Sequence, residues 1–385
     1  MFKKETIGRF RTIPTPFYYY DMGLLRQTLS ACSKEAGRYG YFLHYALKAN
    51  SNPQILAVIS KSGYGADCVS GNEIRRAIEN GFGPGTIMFS GVGKTDDEIR
   101  LAVKLNIQSI NVESRQEMEV INNIASGMGL TAGISLRIIP NVDAQTHRYI
   151  TTGLEENKFG ILPWEFDKVL DKLKSLGNLR LKGLHFHIGS QIMDLDIFKS
   201  LCHRVNEINA WFISNHVFAE IINVGGGLGI DYTQPDKNPI PDFSSYFRVF
   251  KDFIELQGNQ QLHFEPGRAI IGQCGSLITK VLFVKKGINT RFAIVDAGMN
   301  DLIRPALYQS YHRIENLTSF EKPEKYDVVG PVCESSDCFG KAVSLPKISR
   351  NDILAIRSAG AYGQTMASQY NLRDLALAVY SEDES

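Results

Sequence analysis

At 385 residues the chain is longer than one ordinary compact domain, so two domains are expected unless much of it forms one large barrel. The 42 Lys and Arg nearly balance the 41 Asp and Glu, which leaves no basic excess for nucleic acid or an anionic membrane; charged ligands must be read by local clusters. No run approaches the ~18 consecutive apolar residues of a membrane helix. Residues 1–10 lack the apolar core of a signal peptide. The six cysteines are scattered, with no Cys-x-x-Cys pair and no zinc-binding pattern, as expected for reduced thiols in a cytoplasmic protein.

The aromatic run 17–20 reads as a strand. From residue 41 short β-rich runs alternate with amphipathic ones. Strands are predicted at 41–47, 64–68, 86–90, 108–112, 133–139, 180–187, 220–224 and 261–265. Helices are predicted between them, at 53–62, 72–80, 96–105, 115–125, 164–176, 197–214 and 243–256. Asn52, Thr95 and Ser114 stand as N-caps, and Gly63, Gly81 and Gly177 as stops. Eight strands separated by helices point to a parallel sheet closed as a (β/α)8 barrel, with an open doubly wound sheet as the alternative. Beyond about residue 270 the runs 275–283, 291–297, 326–332 and 352–356 are short, β-branched and bounded by turn residues. They predict a second, mainly antiparallel domain that segment 17–20 could join. The expected division is 1–35, contributing a strand to the β-domain; 36–272, the barrel; and 273–385, the β-domain. The acidic end, Ser381 to Ser385, reads as a disordered tail.

Functional groups of a barrel gather at the C-terminal ends of its strands. Here Lys48 follows the first strand, Asp67 ends the second and His187 the sixth. Gly225-Gly226-Gly227-Leu228-Gly229 follows the seventh, and Glu265-Pro266-Gly267-Arg268 ends the eighth. Each has an ordinary explanation: a solvated lysine, a turn, a core histidine, a surface ion pair worth ~0–1 kcal/mol. Their convergence on one face matches the needs of pyridoxal 5′-phosphate. A glycine loop brings backbone N–H donors close to a phosphate, and Arg268 adds a guanidinium. Lys48 supplies an amine for the aldehyde. A carboxylate at Glu265 favours a protonated pyridine nitrogen, and His187 could stack on the ring.

On these residues, together with Tyr45 to Asn50, Asp67 to Glu73, Lys158-Phe159-Gly160, His185 to Gln191, Arg304 to Tyr308, Gly330 to Asp337 and Gly360 to Gly363, the sequence resembles the fold-type III pyridoxal-phosphate decarboxylases over nearly its whole length. The resemblance implies an alanine-racemase-like barrel followed by a β-domain, and a homodimer with shared active sites. It implies that Lys48 carries the cofactor, His187 stacks on it, and Ser190, Gly227 and Arg268 hold its phosphate, with Gly226 and Gly267 also binding the cofactor. Asp67, Glu265 and Tyr362 would complete the cofactor shell, and Cys333, from the neighbouring subunit, would donate a proton.

Within the family the chain is similar to members that decarboxylate meso-diaminopimelate to lysine. A substrate with an amino-carboxylate at its far end needs a cation and an anion there, because an unpaired buried charge is costly. Arg268, Arg304 and Tyr308 suit the distal carboxylate, Glu334 the distal ammonium, and Tyr362 either substrate or cofactor. Decarboxylases of ornithine, arginine, lysine or carboxynorspermidine are the neighbouring alternatives, a racemase or a catalytically dead homologue more distant ones. Two departures stand out: Ser336 where the family has Gly, and no Arg-Pro pair after Asn371.

Overall fold

The computed structural model describes residues 2–143 and 158–381; of the expected acidic tail, residues 382–385 lie outside the described residues. The chain forms two compact units. One comprises Leu29–Gly229 with Asp242–Gly267, the other Met1–Thr28 with Ile230–Pro241 and Arg268–Ser385.

The first unit is a closed barrel of eight parallel strands: Phe42–Ala46, Gly65–Cys68, Ile87–Phe89, Ser109–Val112, Ala132–Arg137, Leu179–His185, Ile221–Asn223 and Gln261–Phe264. The eighth strand closes on the first, with Phe42 opposite His263 and Leu43 opposite Phe264. The open-sheet alternative is thereby excluded. Buried aliphatic residues such as Ile110, Ile134 and Leu184 alternate along the strands with residues that build a polar interior. Low in that interior His44 meets His263 at 2.8 Å and Ser109 meets Ser135 at 2.7 Å. Burial pushes His263 down to about 2, so this pair is neutral and serves packing.

The helices start where their caps place them. The Asn52 side chain accepts from Gln54 N and the Ser114 hydroxyl from Glu117 N, while Thr95 and Glu98 form a reciprocal capping box. Gly63 and Gly81 take left-handed φ of +83° and +91° just past their helices, which a residue with a Cβ resists. The helix predicted at 164–176 is shorter, Phe166–Lys174, because a tighter turn, Pro163–Glu165, replaces its first turn.

The second unit is an eight-stranded, mostly antiparallel sheet. Its main order runs Ile314–Asn316, Ile353–Ile356, Gly275–Lys286, Arg291–Val295, Pro323–Val329, Cys338–Pro346. The aromatic strand Phe17–Tyr20 pairs antiparallel with Gly275–Lys286 and parallel with Leu377–Tyr380. Its Phe17 and Tyr19 pack with Phe10, Ile278, Leu317 and Ile353.

Some elements were not anticipated. Helices Lys4–Phe10 and Met22–Gly37 lacked a strong periodic signal; the latter is started by Asp21, whose carboxylate accepts from Leu24 N at 2.8 Å. Strand Cys338–Pro346 was hidden by Gly340 and by two register shifts against Pro323–Val329. Strands Ile314–Asn316 and Leu377–Tyr380 are only 3 and 4 residues long, too short to show a period.

Candidate active site

Lys48 lies two residues past the end of the first barrel strand, in the tight turn Leu47–Ala49. That turn is held by its own neighbourhood. Tyr45 hydroxyl donates to the Asn50 carbonyl at 3.0 Å, and Ala46 N donates to Pro266 O at 3.3 Å. A Cβ on Gly267 would sit 3.1 Å from the Cβ atoms of both Ala46 and Ala49, so the absence of a side chain lets the eighth strand's end lie against the lysine turn.

Lys48 is about one-third exposed (36%) while its partner Asp67 is fully buried; Lys48 Nζ donates to Asp67 Oδ2 at 3.3 Å. The other Asp67 oxygen accepts from Ser90 Oγ at 2.9 Å, and Ser90 in turn accepts from Asn111 Nδ2 at 2.9 Å. Asp67 is thus a fixed anchor at the second strand's end, aiming a reachable amine.

Glu265, immediately after the eighth strand, is buried and doubly held. His185 Nε2 lies 3.1 Å from its Oε2, and Asn223 Nδ2 donates to its Oε1 at 2.7 Å. Burial by itself pushes this carboxyl up, but the His185 imidazole and the Lys48 charge outweigh it and hold Glu265 below the ordinary carboxylate range. Asp67 shifts the other way, raised by burial and then by the charge of Glu265. The barrel therefore keeps one firmly ionised carboxylate at Glu265. A surface ion pair is not its role.

His187 comes two residues after the sixth strand and is half-buried. Desolvation, then the positive charges of Lys48 and Arg137, push its imidazole well below the usual value, so it is neutral. Beside it the glycine run follows the seventh strand. Gly225 and Gly227 have φ of +70° and +112°. A Cβ on Gly226 would stand 2.2 Å from the backbone oxygen of Glu265, and one on Gly225 2.6 Å from His187 Nδ1. Ile192 N donates to Gly227 O, tying this run to the loop that carries Ser190. In that loop Gly189 and Gln191 also have positive φ.

His185 and Asn223 were missed in the sequence, and a signal for both exists. His185 and His187 are two apart within the predicted strand 180–187, a spacing that marks one face, and Asn223 ends the strand that leads into the glycine run.

In the second unit Arg268, Arg304, Tyr308 and Tyr362 come together. Arg268 donates to the Tyr232 hydroxyl at 2.6 Å, and its guanidinium lies 4.9 Å from the Tyr362 ring centre. Arg304 lies 5.5 Å from the ring of Tyr308 and 5.9 Å from that of Tyr362. Arg304 is buried, and its Nε has no partner among the described residues. Its burial, and then the charge of Arg268, lower its proton affinity. Tyr362 adopts a left-handed φ of +56°, a backbone cost concentrated where the two guanidiniums meet. Tyr232 was not foreseen; no motif marks it.

Cys333 and Glu334 lie elsewhere in the same unit, both exposed, on the turn between Pro323–Val329 and Cys338–Pro346. Asp337 builds that turn: its carboxylate accepts from Met299 N and Val332 N, each at 2.7 Å.

These donors fit pyridoxal phosphate. A glycine cradle that any Cβ would fill, an accessible lysine and a buried ionised carboxylate are the complement of a phosphate, an aldehyde and a pyridinium.

Comparison with known proteins agrees. The sequence profile described as "Pyridoxal-dependent decarboxylase, pyridoxal binding domain" matches residues 23–272. Diaminopimelate decarboxylase of Bacteroides thetaiotaomicron is 55% identical over 379 residues, covering 98% of each chain. The crystal structure of diaminopimelate decarboxylase from Helicobacter pylori complexed with L-lysine superimposes with a TM-score of 0.92 at 42% identity, covering 98% of this chain and 94% of that one. A lysine/ornithine decarboxylase from Vibrio vulnificus shares the fold, with a TM-score of 0.85 at 20% identity over 99% of each chain. From the barrel, its lysine turn and these likenesses together, the chain belongs to the pyridoxal-dependent decarboxylase family.

Proposed function

We propose that the protein releases one carboxylate of meso-diaminopimelate as carbon dioxide and yields L-lysine, with pyridoxal 5′-phosphate carried on Lys48. The observation that carries the substrate reading is Arg304, buried with an Nε that has no partner among the described residues. A buried guanidinium left in that state is costly, and a substrate carboxylate relieves the cost. A diamine-forming decarboxylase has no distal carboxylate to offer. The Bacteroides and Helicobacter relatives support the same reading by name, and the lysine bound in the Helicobacter structure is the expected product. The arginine and lysine/ornithine decarboxylases at 20–22% identity carry the fold alone.

The cofactor, when bound, supplies the electron sink that lets a Cα–carboxylate bond break. The residues of the chain do the rest. Asp67 aims the Lys48 amine. Glu265, kept ionised, favours a proton on the pyridine nitrogen. His187, kept neutral, presents a flat face. Ser190, Gly227 and Arg268 hold phosphate oxygens, Gly226 and Gly267 also bind the cofactor, and Tyr362 borders cofactor and substrate. Arg268, Arg304 and Tyr308 take the distal carboxylate, and Glu334 takes the distal ammonium. Cys333 returns a proton to the carbon that lost its carboxylate.

The proposal includes a homodimer in which Cys333 and Glu334 serve the partner's Lys48. It also includes a cytoplasmic setting, which the six unpaired cysteines support. Among the described residues no helix is long and apolar enough to cross a membrane. By role we divide the chain at 35/36 and 272/273.

Carbon dioxide release from diaminopimelate, lysine, ornithine and arginine, each assayed with the holoenzyme, tests the reading. Turnover of diaminopimelate alone is expected. Comparable kcat/KM with lysine or ornithine would sink it.

A further inference from the structure

We infer that Tyr370 and Ser336 are positioning residues which fix the carboxylate of Glu334, and so set how sharply the enzyme distinguishes substrates that carry a distal ammonium. The inference rests on the proposed role of Glu334. Tyr370 hydroxyl donates to Glu334 Oε1 at 2.6 Å, and Ser336 Oγ donates to Glu334 Oε2 at 3.1 Å. One hydroxyl on each oxygen fixes the plane of the carboxylate as well as its place, whereas a single bond would leave it free to turn.

The supports of both hydroxyls are themselves tied down. Ser336 is in a turn closed by Glu334 N to Val332 O at 2.8 Å, Asp337 N to Glu334 O at 3.1 Å and Cys338 N to Ser336 O at 2.8 Å. The Asp337 carboxylate staples this turn to Met299 N and Val332 N. A Cβ on Gly330 would stand 2.4 Å from an Asp337 carboxylate oxygen, so the carboxylate fills the space that a side chain there would need. Tyr370 opens the short turn Tyr370–Leu372, whose Asn371 is left-handed, and is anchored by Ser368 N to Asn300 O at 2.9 Å and by Arg373 to the Asp296 carbonyl at 2.9 Å.

Ser336, one of the two departures from the family pattern, thus supplies one of the two hydroxyl donors to this carboxylate. With Gly at 336, one of its two hydroxyl donors would be gone. An exposed Glu left to itself samples several rotamers, and holding it in advance removes that entropic cost when a cation binds.

The test is the ratio of kcat/KM for diaminopimelate to that for 2-aminopimelate, which lacks only the distal amine. It is measured for the holoenzyme and for Tyr370→Phe, Ser336→Gly, the double variant and Glu334→Gln, with thermal melting as a folding control. Each hydroxyl deletion should narrow the ratio by about three- to tenfold, mainly through KM for diaminopimelate, the scale of one ordinary hydrogen bond, since the deleted group acts through Glu334 rather than on the substrate. In the Glu334→Gln background, Tyr370→Phe should change nothing further. If Glu334→Gln narrows the ratio while Tyr370→Phe and Ser336→Gly keep the wild-type value, the clamp is wrong and the role of Glu334 stands. If Glu334→Gln itself leaves the ratio unchanged, both fall.

Discussion

At Glu265 burial and its neighbours pull in opposite directions, and the neighbours win because His185 touches one oxygen and Asn223 the other. Glu265→Gln keeps the shape and removes the charge. The variant should still bind pyridoxal phosphate but turn over about 10²-fold more slowly or worse, measured as single-turnover carbon dioxide release. Near-normal turnover would assign the pyridine nitrogen to another group. Lys48 is tested differently: borohydride treatment of the holoenzyme and peptide mapping should find the pyridoxyl label on the peptide containing Lys48 and on no other lysine. For Arg304 the geometry predicts a selective loss. Arg304→Ala should cost roughly 2–5 kcal/mol in kcat/KM for diaminopimelate, since the distal carboxylate loses its guanidinium. Unchanged kinetics would favour a diamine-forming enzyme.

The elements that matter most are the short turns just beyond strand ends, because they turn a strand's direction into a side chain's position. The turn Leu47–Ala49 presents Lys48, and the glycine run beyond Ile221–Asn223 lies against the end of Gln261–Phe264. Backbone cannot yield as a side chain does. Gly226→Ala, whose Cβ would meet the Glu265 carbonyl oxygen at 2.2 Å, should therefore destabilise the barrel by about 1–3 kcal/mol and loosen the cofactor. Thermal melting read beside a pyridoxal phosphate titration checks both effects. A fall in melting temperature with wild-type cofactor affinity would mean that this run is scaffold only.

For the whole molecule, the proposed homodimer places Cys333 of one subunit at Lys48 of the other, as two-fold symmetry permits. Lys48→Ala and Cys333→Ala should each be nearly inactive alone. After mixing and random exchange half the dimers are heterodimers, each with one intact site of two, so about a quarter of wild-type activity should return. No recovery, with subunit exchange verified by native mass spectrometry, would place Cys333 in its own subunit's site.

How much of this was legible beforehand divides along a physical line. The eight barrel strands and their helices were readable because each element is local: alternation in strands, apolar faces in helices, and caps such as Asn52, Thr95 and Ser114 all act within a few residues. The placement of Lys48, Asp67, His187, Gly226 and Glu265 at or just beyond strand ends was readable for a related reason, since a parallel barrel brings every strand's C-terminal end to one face whatever the loops do. Helix Met22–Gly37 and strand Cys338–Pro346 were not, because a single side-chain cap and a register-shifted pairing leave no period in the sequence. Nor were the partnerships. That Glu265 stays ionised depends on His185, 80 positions away, and that Arg304 Nε has no partner among the described residues depends on which side chains surround it. Sequence spacing names the groups that carry charge; their protonation and their orientation are set by burial and by neighbours that only the folded chain brings within hydrogen-bond distance.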